Sequence, residues 1–152
     1  MLSDRVSAGD RKDESLAAMR ASLPKEFDVV LERVLPDERT LIEALLRDLC
    51  DRGVAECIVT SGGTGLTQRD VTPQATVAVA DYEVPGLAEA MRAASTKSVP
   101  TSMLSRAVAV VRGRTLIVNL PGSPKGARET LAVIAPVLPH ALALLAGDDP
   151  GH

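Results

Sequence analysis

The 152-residue chain is predicted to fold as an α/β domain, with a mostly parallel sheet and helices on both faces. Three observations predict this class. Short apolar, β-branched runs alternate with longer stretches whose apolar residues recur every three or four positions. A glycine-rich loop follows one of the runs, where parallel sheets place such loops. The length suits one core, so we expect residues 1–152 to form a single domain.

Composition narrows the functional classes. The chain is 45% hydrophobic but only 1% aromatic, so its core must consist of Leu, Val, Ala and Ile. The net charge is −3 and no basic tract occurs, which argues against a nucleic-acid partner. We find no signal peptide and no apolar run of the ~18 residues that cross a bilayer. Two cysteines, Cys50 and Cys57, suit buried thiols in a reducing compartment. These features favour a cytoplasmic protein without a membrane partner.

The first half of the chain is predicted to contain two helices and two strands. Residues 13–23 have the apolar spacing of a helix, and residues 27–35 alternate as in a strand. Pro36 begins a second helix, which Gly53 ends. The apolar run at residues 57–60 predicts the strand that precedes the glycine-rich loop.

The second half is predicted to continue the alternation. The first predicted element is a helix capped by Thr72 with Pro73 in its first turn, and a second helix at about residues 87–94 follows a break at Pro85-Gly86. Residues 107–111 and 115–120 are predicted to form a hairpin. Two helices are expected after residues 121–126.

The glycine-rich stretch carries the main functional signal. Residues 57–70 read CIVTSGGTGLTQRD, and Gly62, Gly63 and Gly65 occupy three of four positions. Such a loop allows positive φ, and its N–H groups can converge on an anion such as a phosphate. The order matches neither a Walker A loop nor a dinucleotide fingerprint. The stretch therefore predicts an anion site, with an ordinary turn as the alternative.

Two aspartates follow predicted strands and are candidate ligands. Asp37 and Asp70 would meet at the carboxyl edge of a parallel sheet, where residues 119–125 would join them. Mg²⁺ is commonly held by one or two carboxylates and substrate phosphates. The alternatives are a helix N-terminal aspartate, an ordinary loop aspartate and a plain strand-to-helix turn. His140 and His152 stand apart, so the pattern supports neither a zinc site nor a histidine-activated nucleophile.

Six blocks of the sequence have a familiar order. They are Ser3-Asp4-Arg5 with Gly9, Pro36-Asp37-Glu38, residues 60–73 (TSGGTGLTQRDVTP), Glu83-Val84-Pro85-Gly86, Leu104-Ser105-Arg106 and residues 119–125 (NLPGSPK). Together they resemble the MogA/MoaB family of molybdopterin-binding proteins, which includes the G domains of gephyrin and of the plant Cnx proteins. The resemblance spans nearly the whole chain.

The resemblance implies a fold and an enzymatic activity. Family members are three-layer α/β sandwiches, commonly homotrimers, that act in molybdenum (or tungsten) cofactor biosynthesis. They transfer AMP from ATP to molybdopterin with Mg²⁺ and release pyrophosphate, and a molybdenum-insertion protein is an expected partner. Asp37 and Asp70 match the catalytic, Mg²⁺-binding aspartates. The residues that match positions binding molybdopterin or nucleotide are Ser3, Asp4, Ser61, Gly62, Gly63, Thr64, Gly65, Ser105, Pro121, Gly122, Ser123 and Pro124.

One departure keeps a second function open. Family members have an apolar strand before the Ser-Asp-Arg block, whereas here only Met1 and Leu2 precede it. We therefore expect the domain to lack most of its first strand, either because the true start lies upstream or because the strand is absent. In the second case a non-catalytic, MoaB-type carrier of molybdopterin is the alternative to the enzyme.

Overall fold

The computed structural model describes residues 17, 19–21, 23, 25 and 27–148. The expected site residues Ser3 and Asp4, and the position of the expected first strand, lie outside this part. The described elements are α1 (Arg39–Asp51), β1 (Cys57–Ser61), α2 (Thr72–Val79), β2 (Tyr82–Glu83), α3 (Pro85–Thr96), a 3₁₀ helix (Pro100–Leu104), β3 (Ala109–Arg112), β4 (Thr115–Leu120), α4 (Pro124–Ile134), a 3₁₀ turn (Ala135–Val137) and α5 (Leu138–Ala146).

The described strands form one mixed sheet in the order β1-β4-β3-β2. β1 and β4 are parallel, whereas β4 with β3 and β3 with β2 are antiparallel. The expectation of a mostly parallel sheet is therefore wrong for these strands. For β3 and β4 the reason is the tight turn after Arg112, where Gly113 adopts a φ of +57° and the chain returns beside itself. A two-residue turn can join only antiparallel strands.

Both faces of the sheet are covered by helices. Ala109, Val111, Leu116 and Val118 pack in one apolar cluster with side chains of α3, α4 and α5. The alternate residues Val110 and Ile117 pack in a second cluster, and the helical members of that cluster are Ile42, Leu46, Cys50, Ala75 and Val79 of α1 and α2. Strands that are buried on both faces need continuous apolar runs, which β3 and β4 have. Their sequences therefore fix them at the centre of the domain.

The strand expected at residues 27–35 does not form. Residues 27–34 have no strand assignment, and Leu35 makes only an isolated bridge. An apolar cavity of about 490 Å³ is lined by this segment and by β1, including Val29, Leu31, Ile58 and Val59. Strands pair at a spacing of about 4.8 Å, so a segment that such a cavity separates from β1 cannot pair with that strand. The alternation of residues 27–35 thus indicates apolar packing, and the prediction of sheet pairing is wrong.

Two helix starts differ from the prediction. Val71, not Thr72, is the N-cap residue of α2, and its side chain makes no capping bond. Pro85 lies in the first turn of α3, so Pro85-Gly86 begins the helix that was expected only from residue 87. Proline suits the first turn of a helix because N–H groups there have no intrahelical partner, so the N–H that proline lacks is not missed. The predicted strand at residues 57–60, the hairpin and the two last helices are confirmed.

One helical stretch contradicts the expectation about apolar length. Residues Pro124–Ala146 are long and apolar enough to cross a bilayer on length and composition alone, and 33% of their most apolar window is buried. The buried side chains include Leu131, Ile134 and Leu138, which belong to the core cluster beneath the sheet. Core helices of soluble domains pass the same test, so the stretch is weak support for a membrane span.

The prediction of buried thiols is confirmed for Cys50, whereas Cys57 is only partly buried. Cys50 and Cys57 are free thiols, and Cys50 is buried. Burial raises the pKa of Cys57 to about 12, so its thiol stays protonated. Protonated, buried thiols are poor nucleophiles and metal ligands. Both cysteines are therefore packing residues.

Asn119 is a buried polar side chain that ties β4 to β1 and to α2 on one face of the sheet. It is fully buried on β4, and its amide donates to Thr60 Oγ1 at 2.9 Å and Thr76 Oγ1 at 3.0 Å. Its Oδ1 accepts from Val108 N–H at 3.3 Å. We expect Asn119→Leu to lower the free energy of unfolding by about 3 kcal/mol, because it leaves buried polar groups unpaired.

Thermal unfolding tests this expectation. A loss of about 3 kcal/mol corresponds to roughly 6–12 °C for a domain of this size. The matched variant Thr60→Val removes only one of the bonds and should cost about 1 kcal/mol. An Asn119→Leu protein that unfolds within about 2 °C of the parent would contradict the role given to Asn119.

Candidate functional site

The loops that follow β1 and β4 lie side by side. The two strands are in parallel register, with Ser61 opposite Leu120. Gly62 N–H donates to Leu120 O at 3.1 Å, and Ser61 Oγ donates to Pro121 O at 2.8 Å. A Cβ on Gly122 would lie 3.2 Å from Gly62 Cα, tighter than most real contacts. The expected meeting of these loops is thus observed, and the hydroxyl of Ser61 serves to join them.

The glycine loop turns its carbonyls toward the protein. Gly62 and Gly63 have φ values of +104° and +64°, which disfavour a side chain. Gly63 O accepts from Thr72 N–H at 3.2 Å, and Thr64 O accepts from Arg106 N–H at 2.9 Å. In a trans peptide the N–H points opposite to the carbonyl. The N–H of Thr64 therefore faces away from Thr72, and the N–H of Gly65 faces away from the backbone of Arg106.

Two amides of the loop are available to a ligand. Within residues 27–148, no hydrogen-bond partner is present for the N–H groups of Gly63 and Thr64. Gly62 does not share this freedom, because its N–H already donates to Leu120 O. Adjacent amides presented by glycine turns form anion-binding concavities. We therefore expect an anion to bind at the N–H groups of Gly63 and Thr64.

Asp37 and Thr72 flank the loop from two helix starts. A Cβ added to Gly63 would overlap Thr72 Oγ1 and would lie 3.4 Å from Asp37 Oδ1. Thr72 is fully buried, and its hydroxyl has no hydrogen-bond partner in the described part of the chain. The sequence pattern predicts Thr72 only as a helix cap and misses its place in the site. A buried hydroxyl without a partner is a polar group that a ligand can satisfy.

The two aspartates have opposite pKa shifts. Asp70 Oδ2 accepts from the hydroxyl of Thr67 at 2.6 Å and from its N–H at 2.9 Å. The hydroxyl bond is the largest cause that lowers the pKa of Asp70, with help from backbone bonds of Thr67 and Gly65 and from the charge of Arg106. The pKa of Asp37 is raised, first by burial and then by the negative charge of Asp70. The geometry agrees, because Asp37 Oδ1 lies beside Gly63 and Asp70 Oδ2 lies beside Gly65 of the same loop.

This donor set fits a magnesium ion. Mg²⁺ is usually held by one or two carboxylates, with waters and substrate phosphates as the other ligands. Asp37 and Asp70 supply two carboxylates beside the loop, and a cation there would offset their mutual repulsion. No group of three or more His, Cys, Asp or Glu side chains that could hold a metal occurs among the described residues. A metal held by protein ligands alone is therefore not indicated in that part.

A cavity of about 400 Å³ adjoins the glycine loop. Thr64, Gly65, Ser105 and Pro121 line it, as expected of residues in a common pocket. Its floor is apolar, with Ala88 and Met91 of α3, and its polar wall includes Arg92, Ser95, Thr101 and Ser102. No local pattern singles out these α3 and 3₁₀ residues, because a lone arginine on an amphipathic helix usually faces solvent.

Ser123 and Pro124, which are predicted to bind a ligand, have structural roles at the start of α4. Ser123 Oγ accepts from Gly126 N–H at 3.1 Å and so caps α4. Pro124 is the first residue of that helix. Neither residue lines the cavity beside the glycine loop. Their expected contact with a ligand stays a prediction, as do the ligand-binding roles of the other loop residues.

Comparison with known families gives the identity of the domain. The sequence model of a family described as "Probable molybdopterin binding domain" matches residues 1–140, which is most of the chain. The chain belongs to the MogA/MoaB family. The match includes the two aspartates, the glycine loop and the loop after β4.

Two relatives of this MogA/MoaB family member bear the name of the same activity. A protein of Escherichia coli strain K12, "Molybdopterin adenylyltransferase", is 46% identical over 133 residues, covering 86% of this chain and 68% of the relative. A Helicobacter pylori protein of the same name is 42% identical over 149 residues, covering 96% and 85%. A solved structure, the molybdopterin biosynthesis enzyme MoaB of Thermus thermophilus, is 51% identical with a TM-score of 0.88, covering 96% and 92%.

Gly63 should tolerate no side chain. Gly63→Ala combines a positive φ with an overlap against Thr72 Oγ1, whereas Gly113→Ala has a similar φ of +57° and open space. The strain at a positive φ costs about 1–2 kcal/mol, so Gly113→Ala measures that strain alone. We expect Gly63→Ala to lower the thermal unfolding temperature by at least twice as much as Gly113→Ala. Equal losses in the two variants would mean that the loop relaxes around the new methyl group.

The opposite shifts of the aspartates predict opposite effects on stability. Asp37 has a pKa above its ordinary value of 3.8, so its contribution is present below 3.8 and is lost as pH rises through the folded pKa. Asp70 has a pKa below 3.8, so its contribution is present above 3.8 and is lost as pH falls through the folded pKa.

Unfolding of two variants in metal-free buffer measures these signs. Relative to the parent protein, Asp37→Asn should gain stability as pH rises through the window just above 3.8. Asp70→Asn should lose relative stability as pH rises through the window just below 3.8. Titration differences of the same sign in both variants would contradict the arrangement of the carboxylates.

Proposed function

We propose that this protein is a molybdopterin adenylyltransferase of molybdenum cofactor biosynthesis. It transfers AMP from ATP to the terminal phosphate of molybdopterin and releases pyrophosphate. The observation that carries the proposal is the pair of unbonded amides at Gly63 and Thr64, within the described chain, beside the carboxylates of Asp37 and Asp70. Relatives at 46% and 42% identity that bear this name give independent support.

The reaction joins two phosphates. An oxygen of the terminal phosphate of molybdopterin attacks the α-phosphorus of ATP, and a new P–O bond forms. The bond from the α-phosphorus to the bridging oxygen breaks, and pyrophosphate leaves with the electron pair. Such transfers depend on positioning and on stabilisation of developing negative charge, with little covalent work for the protein.

The site residues supply that positioning. The amides of Gly63 and Thr64 bind phosphate oxygens, and the Thr64 amide is already oriented because Thr72 holds Gly63 O, the carbonyl of the same peptide. The cavity beside Ser105 and Pro121 holds the pterin of molybdopterin against its apolar floor. Asp37 and Asp70 would hold Mg²⁺, which when bound neutralises charge on the phosphates.

The same proposal covers the wider properties of the domain. We expect a three-layer α/β sandwich, a homotrimer and a cytoplasmic location, with the molybdenum-insertion protein as the partner that takes the adenylylated product. The helix-covered faces of the described sheet support the layered architecture. Whether molybdenum or tungsten is finally inserted depends on that partner, because the transferred group here is AMP.

Pyrophosphate release on mixing the protein with ATP, Mg²⁺ and molybdopterin tests the activity. Asp70→Asn should reduce turnover by at least about 100-fold, a typical loss when one charge-stabilising group is removed. The matched control Asp48→Asn alters an exposed aspartate of α1 that pairs with Arg52, and it should keep full activity. Full turnover by Asp70→Asn would remove Asp70 from the mechanism.

The carrier function has a distinct outcome in the same experiment. A protein that binds molybdopterin in a fluorescence titration but releases no pyrophosphate from ATP is a non-catalytic carrier. The same reaction without Mg²⁺ tests the metal. Pyrophosphate release that persists in the presence of a chelator would exclude a metal-binding role for Asp37 and Asp70.

A further inference from the structure

Arg106 makes an unusual set of bonds to the glycine loop. Its N–H donates to Thr64 O at 2.9 Å, and its Nε donates to Gly65 O at 2.7 Å. Its Nη2 donates to the carbonyl of Asp70. One residue thus holds three carbonyls of the segment 64–70 from outside it, across 36 to 42 positions of sequence.

These bonds set the direction of the neighbouring amides. The carbonyl of Thr64 and the N–H of Gly65 belong to one planar peptide, so fixing the first fixes the second. The Gly65 backbone lies beside the carboxylate of Asp70 and helps to lower the pKa of that group. A Cβ on Gly65 would lie 2.9 Å from Asp70 Oδ2, so the two residues are packed together. The backbone of Asp70 is held by the same guanidinium at its own carbonyl.

We propose that Arg106 is a positioning residue for the adenylyl transfer: it locks the peptide between Thr64 and Gly65, which directly follows the anion-binding amides of Gly63 and Thr64, and the Asp70 backbone into one rigid unit. The inference rests on the function proposed above. Arg106 touches no substrate atom in this scheme, because its Nε and Nη2 are directed at Gly65 O and Asp70 O. It acts through the geometry of the loop and of the carboxylate.

The chemistry of the side chain explains why an arginine is needed. A guanidinium has fixed donors on different nitrogens, so it can bond two carbonyls five residues apart at the same time. The ammonium of a lysine is a compact charge on a flexible stem and would hold one carbonyl well. The side chain is partly buried, so the carbonyls it leaves would have limited access to water in its place.

Three conditions test the role in the whole chain. Arg106→Ala should reduce kcat/KM for pyrophosphate release by about 100-fold, as expected when reacting groups are misplaced by about 1 Å. Arg106→Lys should recover only part of that loss. Guanidinium added at millimolar concentration should raise kcat/KM of Arg106→Ala at least tenfold, because it can occupy the position left by the Arg106 side chain.

Arg112→Ala is the matched control. Arg112 also donates to a backbone carbonyl, that of Val79 at 3.0 Å, and pairs with Asp51, but it lies outside the loop. We expect Arg112→Ala to lower the unfolding temperature while leaving kcat/KM within about threefold of the parent. A loss of activity in both variants that follows their unfolding temperatures, and that guanidinium does not restore, would reduce Arg106 to a structural residue and overturn the proposal.

Amide hydrogen exchange separates this proposal from the proposed function. Arg106→Lys should speed exchange in the segment 64–71 by at least tenfold relative to the parent, whereas Arg112→Lys should not. If the parent protein releases no pyrophosphate, the adenylyltransferase assignment fails while exchange still reports whether Arg106 holds the segment. Unchanged exchange in Arg106→Lys would overturn the locking role even if turnover is observed.

Discussion

The parallel pairing of β1 with β4 is the constraint on which the site depends. It places the end of each strand at the same edge, with Ser61 opposite Leu120. The two loops then begin within hydrogen-bond distance, and they approach so closely that a Cβ on Gly122 would lie 3.2 Å from Gly62 Cα. The strands are buried between two apolar clusters, and a one-residue shift in register would turn Asn119 to the opposite face and away from Thr76, its partner on α2. The position of the loops is therefore fixed by the core.

Several features of the site follow from sequence rules. Glycines in the loop predict positive φ, and Gly62 and Gly63 have it. The carboxyl-edge rule places Asp37 beside the glycine loop, even though the strand expected before Asp37 is absent from the described structure. The rule succeeds because it needs only the direction of the chain at that point. The helix that starts at Arg39 supplies that direction without sheet hydrogen bonds.

Other features depend on distances that no local pattern encodes. The bonds from Arg106 reach across about 40 residues, so its motif is recognisable in the sequence but its partners are not. The buried hydroxyl of Thr72 is easily mistaken for a cap, because threonine before proline at a helix start usually is one. The hairpin at Gly113 is predictable, yet its consequence for the direction of the other strands is not a local property. Each miss concerns how elements meet, whereas periodicity reports only that they exist.

Asp37 is the site residue with the least direct support from the sheet. The segment before it lies across an apolar cavity of about 490 Å³ from β1 and makes only one bridge. Its position instead comes from α1, whose Ile42 and Leu46 are buried against Ala75 and Val79 of α2. The same packing positions Thr72 at the start of α2. The packed starts of α1 and α2 therefore place the carboxylate of Asp37 and the hydroxyl of Thr72 on one side of Gly63. That side of the site depends on helix packing, whereas the side formed by the loops after β1 and β4 depends on strand pairing.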